Sequence, residues 1–157
     1  MSVRSRGFTL VELLVVVSIM ALMAGVAAPA LQDFLAAQRV KSAASDFALA
    51  AVFARSEAIK RNAEVSVVPA AGGWTDGWTV QFGAENLSTQ QPYKRLVMNS
   101  TPSDLDSIVY LGSGRLKGSV RPNLNIKDDM GGSDSDLHSR CVGFELSGLP
   151  KTNKGAC

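Results

Sequence analysis

Residues 6–32 read RGFTLVELLVVVSIMALMAGVAAPALQ, and this stretch decides the fold of the chain. From Leu13 to Gln32 there are 20 residues without a charged side chain. As an α-helix, a segment of this length spans about 30 Å, which matches the hydrocarbon core of a bilayer. Arg4 and Arg6 precede it, and positive flanks stay on the cytoplasmic side of a membrane. The sequence therefore predicts a single membrane span, with the rest of the chain exported.

The apolar run differs from a secretory signal peptide in two ways. It is longer than the ~7–15 apolar residues usual in such signals. It also follows Glu12 directly, and a carboxylate near the middle of a bilayer costs about 2.5–3.5 kcal/mol. Neither a disposable signal peptide nor a plain anchor explains that cost, so both alternatives are disfavoured.

The segment Arg6–Leu13, RGFTLVEL, resembles the processing site of type IV pilins and type II secretion pseudopilins. The resemblance implies that a membrane prepilin peptidase cuts between Gly7 and Phe8 and methylates Phe8, the new N-terminal residue. Residues 1–7 are then a removed leader peptide. Because the cut precedes the apolar run, that run stays attached to the mature protein.

Glu12 gains a physical role in such a protein. In a helical filament the apolar stems pack in the centre, where a buried carboxylate needs a partner. The free amine of Phe8 on a neighbouring subunit is a suitable cation. We predict that this pair neutralises both charges and fixes the axial register between subunits.

The helical pattern continues beyond the apolar run. Pro29 interrupts it, and we expect a kink or a local loosening there. After Asp33 the sequence becomes amphipathic. We predict one helix from Phe8 to about Asn62, in which residues 8–32 form the membrane and filament-core half and residues 33–62 the amphipathic half. A stripe of small and apolar side chains recurs every three to four residues: Val40, Ala44, Phe47, Ala51, Ala54 and Ala58.

After the helix, short apolar runs alternate with glycine-rich turn signals. Trp74 and Trp78 flank one such signal at Asp76-Gly77, which favours a core hairpin. Pro122 restricts its run to an edge strand at best, since proline cannot donate to a strand ladder. Residues 63–157 are therefore predicted to form an antiparallel β head packed on the helix, an α+β fold. The predicted strands are Val65–Val68, Trp78–Phe82, Arg95–Met98, Ile108–Leu111, Val120–Ile126 and Cys141–Leu146.

A second resemblance is more particular. Residues Ala54–Asn62 with the strand that follows, Trp74–Trp78, and the ending from Cys141 to Cys157 are similar to blocks of the GspH/FimT family of minor pilins. The resemblance implies the pilin fold and a structural subunit that helps to initiate or cap a type IV pilus. An alternative is the H-type minor pseudopilin of a type II secretion system.

The same resemblance implies partners and a location. The partners are other minor pilins, the major pilin, the prepilin peptidase and the inner-membrane assembly platform. The protein is expected in the inner membrane as a single-pass protein with its head in the periplasm, before incorporation into the pilus or pseudopilus.

Cys141 and Cys157 are the two cysteines of the chain. An exported head lies in an oxidising compartment, where disulfides persist. We predict a disulfide rather than two free thiols. Closing a loop of this size contributes about 3 kcal/mol to stability.

A DNA-capturing pilin is a further alternative function. Some FimT-type pilins bind DNA through a C-terminal Gly-Arg-x-Arg element, whereas Gly148–Lys151 reads GLPK and lacks both arginines. The net charge is +2, and removing Arg4 and Arg6 brings it to +2 − 2 = 0, which disfavours general phosphate binding. A solvated basic surface is the simpler interpretation of the candidate residues, which are Arg115, Lys117, Arg121, Arg140, Lys151 and Lys154.

Catalytic and metal-binding motifs are missing from the sequence. His138 is the single histidine, and no nucleophile-elbow sequence accompanies it. The acidic stretch Asp128–Asp136 lacks the spacing of an EF-hand, so a solvated loop is favoured. We expect no enzymatic activity, no cofactor and no metal site.

Overall fold

The computed structural model describes residues 8–129, 138–145 and 147–157. The leader, with Gly7, lies outside the described residues, and so do residues 130–136 of the acidic stretch. The chain divides into two compact units, Met1–Leu35 and Ala36–Cys157. Helix α1 runs from Leu10 to Arg61 and contributes residues to both units.

In the first unit, Thr9 caps the start of α1. The backbone N–H of Glu12 donates to Thr9 Oγ1 at 3.2 Å, and the N–H of Leu13 donates to the Thr9 carbonyl oxygen. Threonine is a preferred residue just before a helix, because its hydroxyl oxygen accepts a hydrogen bond from an amide that the first turn leaves unbonded. The helix thus begins two residues after the predicted start at Phe8.

The length and hydropathy of the described helix can be compared with those that a membrane span needs. No helix in the described residues is, as a single unbent helix, long and apolar enough to cross a membrane. The segments Leu10–Gly25 and Ala30–Arg61 satisfy the criterion only together, as a bent pair. The break between them includes Pro29, where the sequence predicts a kink.

In the second unit, residues 36–61 of α1 pack on the β head through the predicted stripe. Every member of the stripe is at most 1% exposed, so this prediction is confirmed. The helix ends where Asn62 adopts a left-handed conformation, with φ of 49°, and the N–H of Ala63 donates to the carbonyl of Ala58. A left-handed residue directly after the last turn is a common helix C-cap, and asparagine is one of the residues that adopt it.

The head contains two four-stranded antiparallel sheets. Their strand orders are β3-β2-β1-β5 and β4-β6-β7-β8. The predicted antiparallel head is therefore confirmed, as two sheets. The strands are β1 (Val65–Ala70), β2 (Gly73–Phe82), β3 (Glu85–Gln90), β4 (Leu96–Thr101), β5 (Ile108–Tyr110), β6 (Asn123–Asp128), β7 (Ser139–Phe144) and β8 (Pro150–Lys154).

Phe47 lies at the centre of the core between the helix and the sheets. Its ring meets Trp74 and Trp78 of β2 edge-on, with centroid distances of 5.5 and 5.1 Å. A third perpendicular contact, at 6.5 Å, joins it to Phe144 of β7. One helical side chain thus contacts strands of both sheets.

The edge-strand prediction for the Pro122 run was wrong. Strand β6 begins at Asn123, directly after the proline, and pairs with β4 on one side and β7 on the other. Because Pro122 precedes the ladder, its missing N–H costs the sheet no hydrogen bond.

The turn predicted at Asp76-Gly77 was also wrong. Both residues lie inside β2, and the chain reverses at Ala71-Gly72 instead, where Ala70 pairs with Gly73. Gly77 has φ of +102°, and a side chain there would collide with the carbonyl oxygen of Gln90, so the glycine serves close strand packing. The predicted core position of Trp74 and Trp78 is confirmed, since both are at most 5% exposed.

Candidate assembly site

The stem, residues 8–32, exposes large apolar side chains from Phe8 to Leu31. Phe8 is 79% exposed and Leu22 is 74% exposed. Soluble proteins rarely expose a continuous apolar surface of this size unless a membrane or another protein covers it. The exposed stem residues also include Leu10, Val11, Leu13–Val17, Ile19, Met20, Met23 and Leu31.

Glu12 lies in the first turn of this stem. A carboxylate there interacts favourably with the positive end of the helix dipole, typically by about 0.3–1 kcal/mol. The side chain is exposed, and no described residue forms an ion pair with it. The cap at Thr9 uses the backbone N–H of Glu12 and leaves its carboxylate available for another molecule.

The polar residue Ser18 of the stem contrasts with Glu12. Its hydroxyl donates to the Leu14 carbonyl oxygen at 2.8 Å, within the same helix. The hydrogen bond satisfies the Ser18 hydroxyl without a second molecule. Glu12 is thus the stem side chain whose charge calls for an external partner.

The two cysteines form the predicted disulfide. Cys141 of β7 is bonded to Cys157, with their Cα atoms 4.9 Å apart. Strand β8 lies between them in the chain and pairs with β7. The disulfide therefore fastens the C-terminal strand to the second sheet.

The six basic candidates do not form one row. Arg121 and Lys151 line a common groove of about 620 Å³, together with Asn123 and Asn153. Arg140 of β7 pairs with Lys154 of β8, so their side chains share one face of the sheet. Lys151 lies three residues before Lys154 on β8, and because side chains alternate along a strand, it projects from the opposite face.

The remaining basic candidates lie in the segment between β5 and β6. Lys117 Nζ lies 2.9 Å from Glu64 Oε2, so its charge is already paired. Arg115 is exposed there. The solvated basic surface stays the prediction for these residues, and DNA binding stays the alternative that the sequence disfavours.

The sequence analysis missed a second apolar surface on α1. Leu49, Val52 and Phe53 are 65%, 42% and 38% exposed and lie on a different side of the helix from the buried stripe. The signal was present, because these apolar residues are spaced three and four apart. This spacing was overlooked because the alanine-rich stripe already explained how the helix packs on the head.

The family of the chain follows from sequence comparison. The family model described as type II transport protein GspH matches residues 43–148, and the chain belongs to this family. A prokaryotic N-terminal methylation motif matches residues 3–28, which contain the predicted processing site and the start of the stem. No curated protein matches the chain.

Solved structures show the same fold. The type IV minor pilin FimU of Pseudomonas aeruginosa PAO1 aligns with a TM-score of 0.66 at 17% identity, over 75% of this chain and 92% of FimU. The minor pseudopilin EpsH from the type 2 secretion system of Vibrio cholerae aligns with a TM-score of 0.55 at 14% identity, over 74% of this chain and 97% of EpsH. The chain thus has the fold that minor pilins and pseudopilins share.

Proposed function

We propose that this chain is a minor pilin, a structural subunit that helps to initiate or cap a type IV pilus. The observation that carries the proposal is the exposed apolar stem, which begins with a capped helix and carries Glu12, whose carboxylate has no ion-pair partner in the part of the chain that the structure describes. A folded head alone has no need for such a stem, whereas a filament core buries it. Membership of the GspH family, described as type II transport protein, fits both this role and the alternative, an H-type minor pseudopilin of a type II secretion system.

Processing is part of the proposal. We infer that the prepilin peptidase cuts between Gly7 and Phe8, which lie in the segment that matches the methylation motif. The cut frees an amine at Phe8, two residues before the helix begins at Leu10. The mature chain would then comprise the stem, residues 8–32, the amphipathic half, residues 33–62, and the head, residues 63–157.

The same proposal gives the protein its partners and location. It is anchored in the inner membrane by its stem, with its head in the periplasm, and it assembles with other minor pilins and the major pilin through the assembly platform. Its contribution is architectural, so we expect no enzymatic activity. Its fold is that of the type IV minor pilin FimU and also of the minor pseudopilin EpsH, so the H-type pseudopilin of a type II secretion system is kept as the alternative.

The test is filament incorporation of Glu12→Ala in cells that assemble pili. We expect the variant to insert into the inner membrane normally but to be depleted at least about tenfold from sheared pili. Without the carboxylate, the Phe8 amine of a neighbouring subunit has no partner, and a tenfold depletion corresponds to a loss of about 1.4 kcal/mol in the free energy of incorporation. Ser18→Ala is the matched control, because that side chain bonds within its own helix. Normal incorporation of Glu12→Ala would contradict the role of the carboxylate.

Protein sequencing of the wild-type chain from the same sheared pili tests the processing step. We expect a methylated Phe8 at the N-terminus. A mature chain that begins after the stem, or one that never enters pili, contradicts the proposed function as a whole.

A further inference from the structure

Side chains of α1, β2 and β3 line a pocket of about 220 Å³, which we call the Asp46 pocket. Its lining includes Asp46, Leu49 and Phe53 of α1, Trp78 of β2, and Ser88 and Gln90 of β3. A water molecule occupies about 30 Å³ in the liquid. The pocket therefore has room for one long side chain, whereas a whole helix, which is about 10–12 Å across, does not fit inside it.

The carboxylate of Asp46 is half-buried in this lining, and its two oxygens differ in their partners. Oδ2 accepts hydrogen bonds from the Tyr93 hydroxyl and from Ser42 Oγ. Both donors are neutral, so they orient the carboxylate without neutralising its charge. Within the described residues, Oδ1 accepts no hydrogen bond and no cation forms an ion pair with Asp46.

Tyr93 holds this carboxylate in place and leaves the negative charge on it. Burial raises the pKa of the Tyr93 hydroxyl above its usual value, and the hydrogen bond to Asp46 adds to the rise. The hydroxyl therefore keeps its proton and stays a donor. The Tyr93 ring in turn stacks on Trp78, with a centroid distance of 6.0 Å, so the donor is fixed by a buried side chain of β2.

The rest of the lining adds hydrogen-bond acceptors and an aromatic ring. Gln90 Nε2 donates to the Gln91 carbonyl oxygen at 3.4 Å, which leaves Gln90 Oε1 as an acceptor. The Ser88 hydroxyl is exposed on β3, and the Phe53 ring is 38% exposed on α1. A group that complements the pocket must therefore carry a positive charge, donate several hydrogen bonds and tolerate contact with an aromatic ring.

An arginine side chain meets these three requirements. Its guanidinium is always charged, offers five N–H donors in one plane and packs well on aromatic rings. The ammonium group of lysine is more strongly hydrated, so it loses more solvation when it enters a half-buried pocket. The lining thus favours arginine over lysine and disfavours a neutral side chain.

The surroundings of the pocket indicate that the arginine belongs to another protein chain. Leu49 is 65% exposed and Val52, three residues further along α1, is 42% exposed. A free small cation would leave these apolar side chains in water, whereas the surface of a neighbouring subunit covers them. The arginines of the same helix segment are already engaged, since Arg39 pairs with Asp128, Arg55 with the Gly114 carbonyl and Arg61 with Glu57.

We propose that the Asp46 pocket is a binding site for an arginine side chain of a neighbouring subunit, whose guanidinium pairs with Asp46 and packs against Phe53. The chemistry of the pocket specifies the side chain, and any subunit that presents an arginine at this face can supply it. That the neighbour is a subunit of the same filament rests on the proposed function, whereas the preference for a guanidinium does not.

The first test is a titration of the purified full-length protein, in an uncharged detergent, with N-acetyl-arginine amide. N-acetyl-citrulline amide is the neutral probe of nearly the same shape, and N-acetyl-lysine amide is the probe with an ammonium group. Backbone amide NMR signals of Ser88 and Gln90 report binding in the pocket. We expect the arginine probe to bind at least about tenfold more tightly than the citrulline probe, and more tightly than the lysine probe.

Variants of the lining show which groups select the guanidinium. Asp46→Asn keeps an oxygen acceptor for Tyr93 but removes the charge, so it should weaken binding of the arginine probe at least about tenfold. Asp104→Asn, an exposed carboxylate between β4 and β5, is the matched control and should bind like the wild type. Phe53→Leu keeps an apolar wall without the ring and should narrow the preference for arginine over lysine.

The second test identifies the source of the arginine in cells that assemble pili. The photoreactive residue p-benzoylphenylalanine replaces Val52, which lies beside the pocket without lining it. We expect mass spectrometry of the crosslinked product to find a peptide of a pilus subunit with an arginine next to the joined residue. Adding Asp46→Asn should reduce this product about tenfold, and adding Asp104→Asn should not. Formation of the Cys141–Cys157 disulfide in each variant shows that the head has folded.

Each test can overturn the inference separately. Equal binding of the arginine and citrulline probes, tighter binding of the lysine probe, or full affinity in Asp46→Asn would show that the pocket does not select a guanidinium. If the chain enters pili but the joined peptide has no arginine, or the product survives Asp46→Asn, the contact with a neighbouring subunit is wrong and the proposed function stands. If the wild-type chain never enters pili, the proposed function fails, and the titration still decides whether the pocket binds a guanidinium.

Discussion

Nη2 of Arg39 on α1 lies 2.9 Å from Oδ2 of Asp128, the last residue of β6. The Asp128 side chain is only 3% exposed, whereas the Arg39 side chain remains 32% exposed. The two residues are 89 positions apart in sequence, so the ion pair fixes the helix to the second sheet.

Removing the Asp128 carboxylate should therefore destabilise the head strongly. Asp128→Ala leaves the Arg39 guanidinium partly buried without its ion pair, and Arg39 Nε already lacks an acceptor among the described residues. We expect a loss of about 3 kcal/mol in the free energy of unfolding, measured by urea denaturation of the purified protein in detergent. Lys117→Ala is the control: its pair with Glu64 is about half-exposed on both sides, and we expect a loss of less than about 1 kcal/mol. Equal losses for the two variants would contradict this assignment.

Phe47 makes a second stability prediction possible. Because its ring contacts Trp74, Trp78 and Phe144, Phe47→Ala opens a cavity between the helix and both sheets. We expect a loss of about 3–5 kcal/mol, measured in the same denaturation experiment. Leu49→Ala, two residues further along the same helix and mostly exposed, should change stability by less than about 0.5 kcal/mol. A small loss for Phe47→Ala would mean that the core tolerates the cavity by collapsing.

The helix and its buried stripe could be predicted from the sequence because both depend on local periodicity. The spacing from Val40 to Ala58 identifies one face, and the structure buries that face. The disulfide could also be predicted, because the chain has two cysteines and they have one possible pairing. The stem was equally predictable, because its apolar run is continuous.

The errors in the head have a common physical cause. Proline and glycine were interpreted from local preference, but their effect depends on where the ladder begins and what packs nearby. Pro122 is harmless one residue before an interior strand, and Gly77 belongs inside β2 because Gln90 passes close to it. Strand β3 was not predicted, since most of its residues are polar and its pairing with β2 is a tertiary interaction.

The candidate site was predictable only in part. Glu12 stands out in the sequence because a carboxylate is rare among apolar residues. The pocket of about 220 Å³ that Leu49 of α1 and Ser88 of β3 line was not predictable, since it depends on where the β3 edge lies relative to the helix. The distribution of the six basic residues over two faces of a sheet and a separate segment likewise required the strand register.

The end of α1 should make stability depend on pH. Arg61 Nε lies 2.8 Å from Glu57 Oε2, and this hydrogen bond, more than the longer one from Lys60, holds the pKa of Glu57 below its usual value. Because the pKa is lower in the folded state, the contribution of Glu57 is fully present above its unfolded pKa of about 4.3. It is lost as the pH falls through the lower folded pKa.

Glu57→Gln tests this assignment. We expect the variant to melt at a lower temperature than the wild type at pH 7, and the difference to shrink as the pH falls from about 4.3 towards 3, because the wild type then protonates. Thermal unfolding followed by circular dichroism over this range gives both curves. Glu64→Gln is a suitable control, since that carboxylate belongs to an exposed pair. Parallel curves for Glu57→Gln and wild type would show that Glu57 does not carry the acid sensitivity.

The disulfide should stabilise the C-terminal strand more than the rest of the head. Cys141 and Cys157 are 16 positions apart, and opening a loop of this size costs about 3 kcal/mol of stability in the chain-entropy account. We expect Cys157→Ser to show that loss, and hydrogen exchange to accelerate first in β8, an outer strand held by β7 alone and by the disulfide. Amides of β1, which pairs with strands on both sides, should keep their protection until global unfolding. Uniform acceleration across β1 and β8 would instead mean that the disulfide stabilises the head as a single cooperative unit.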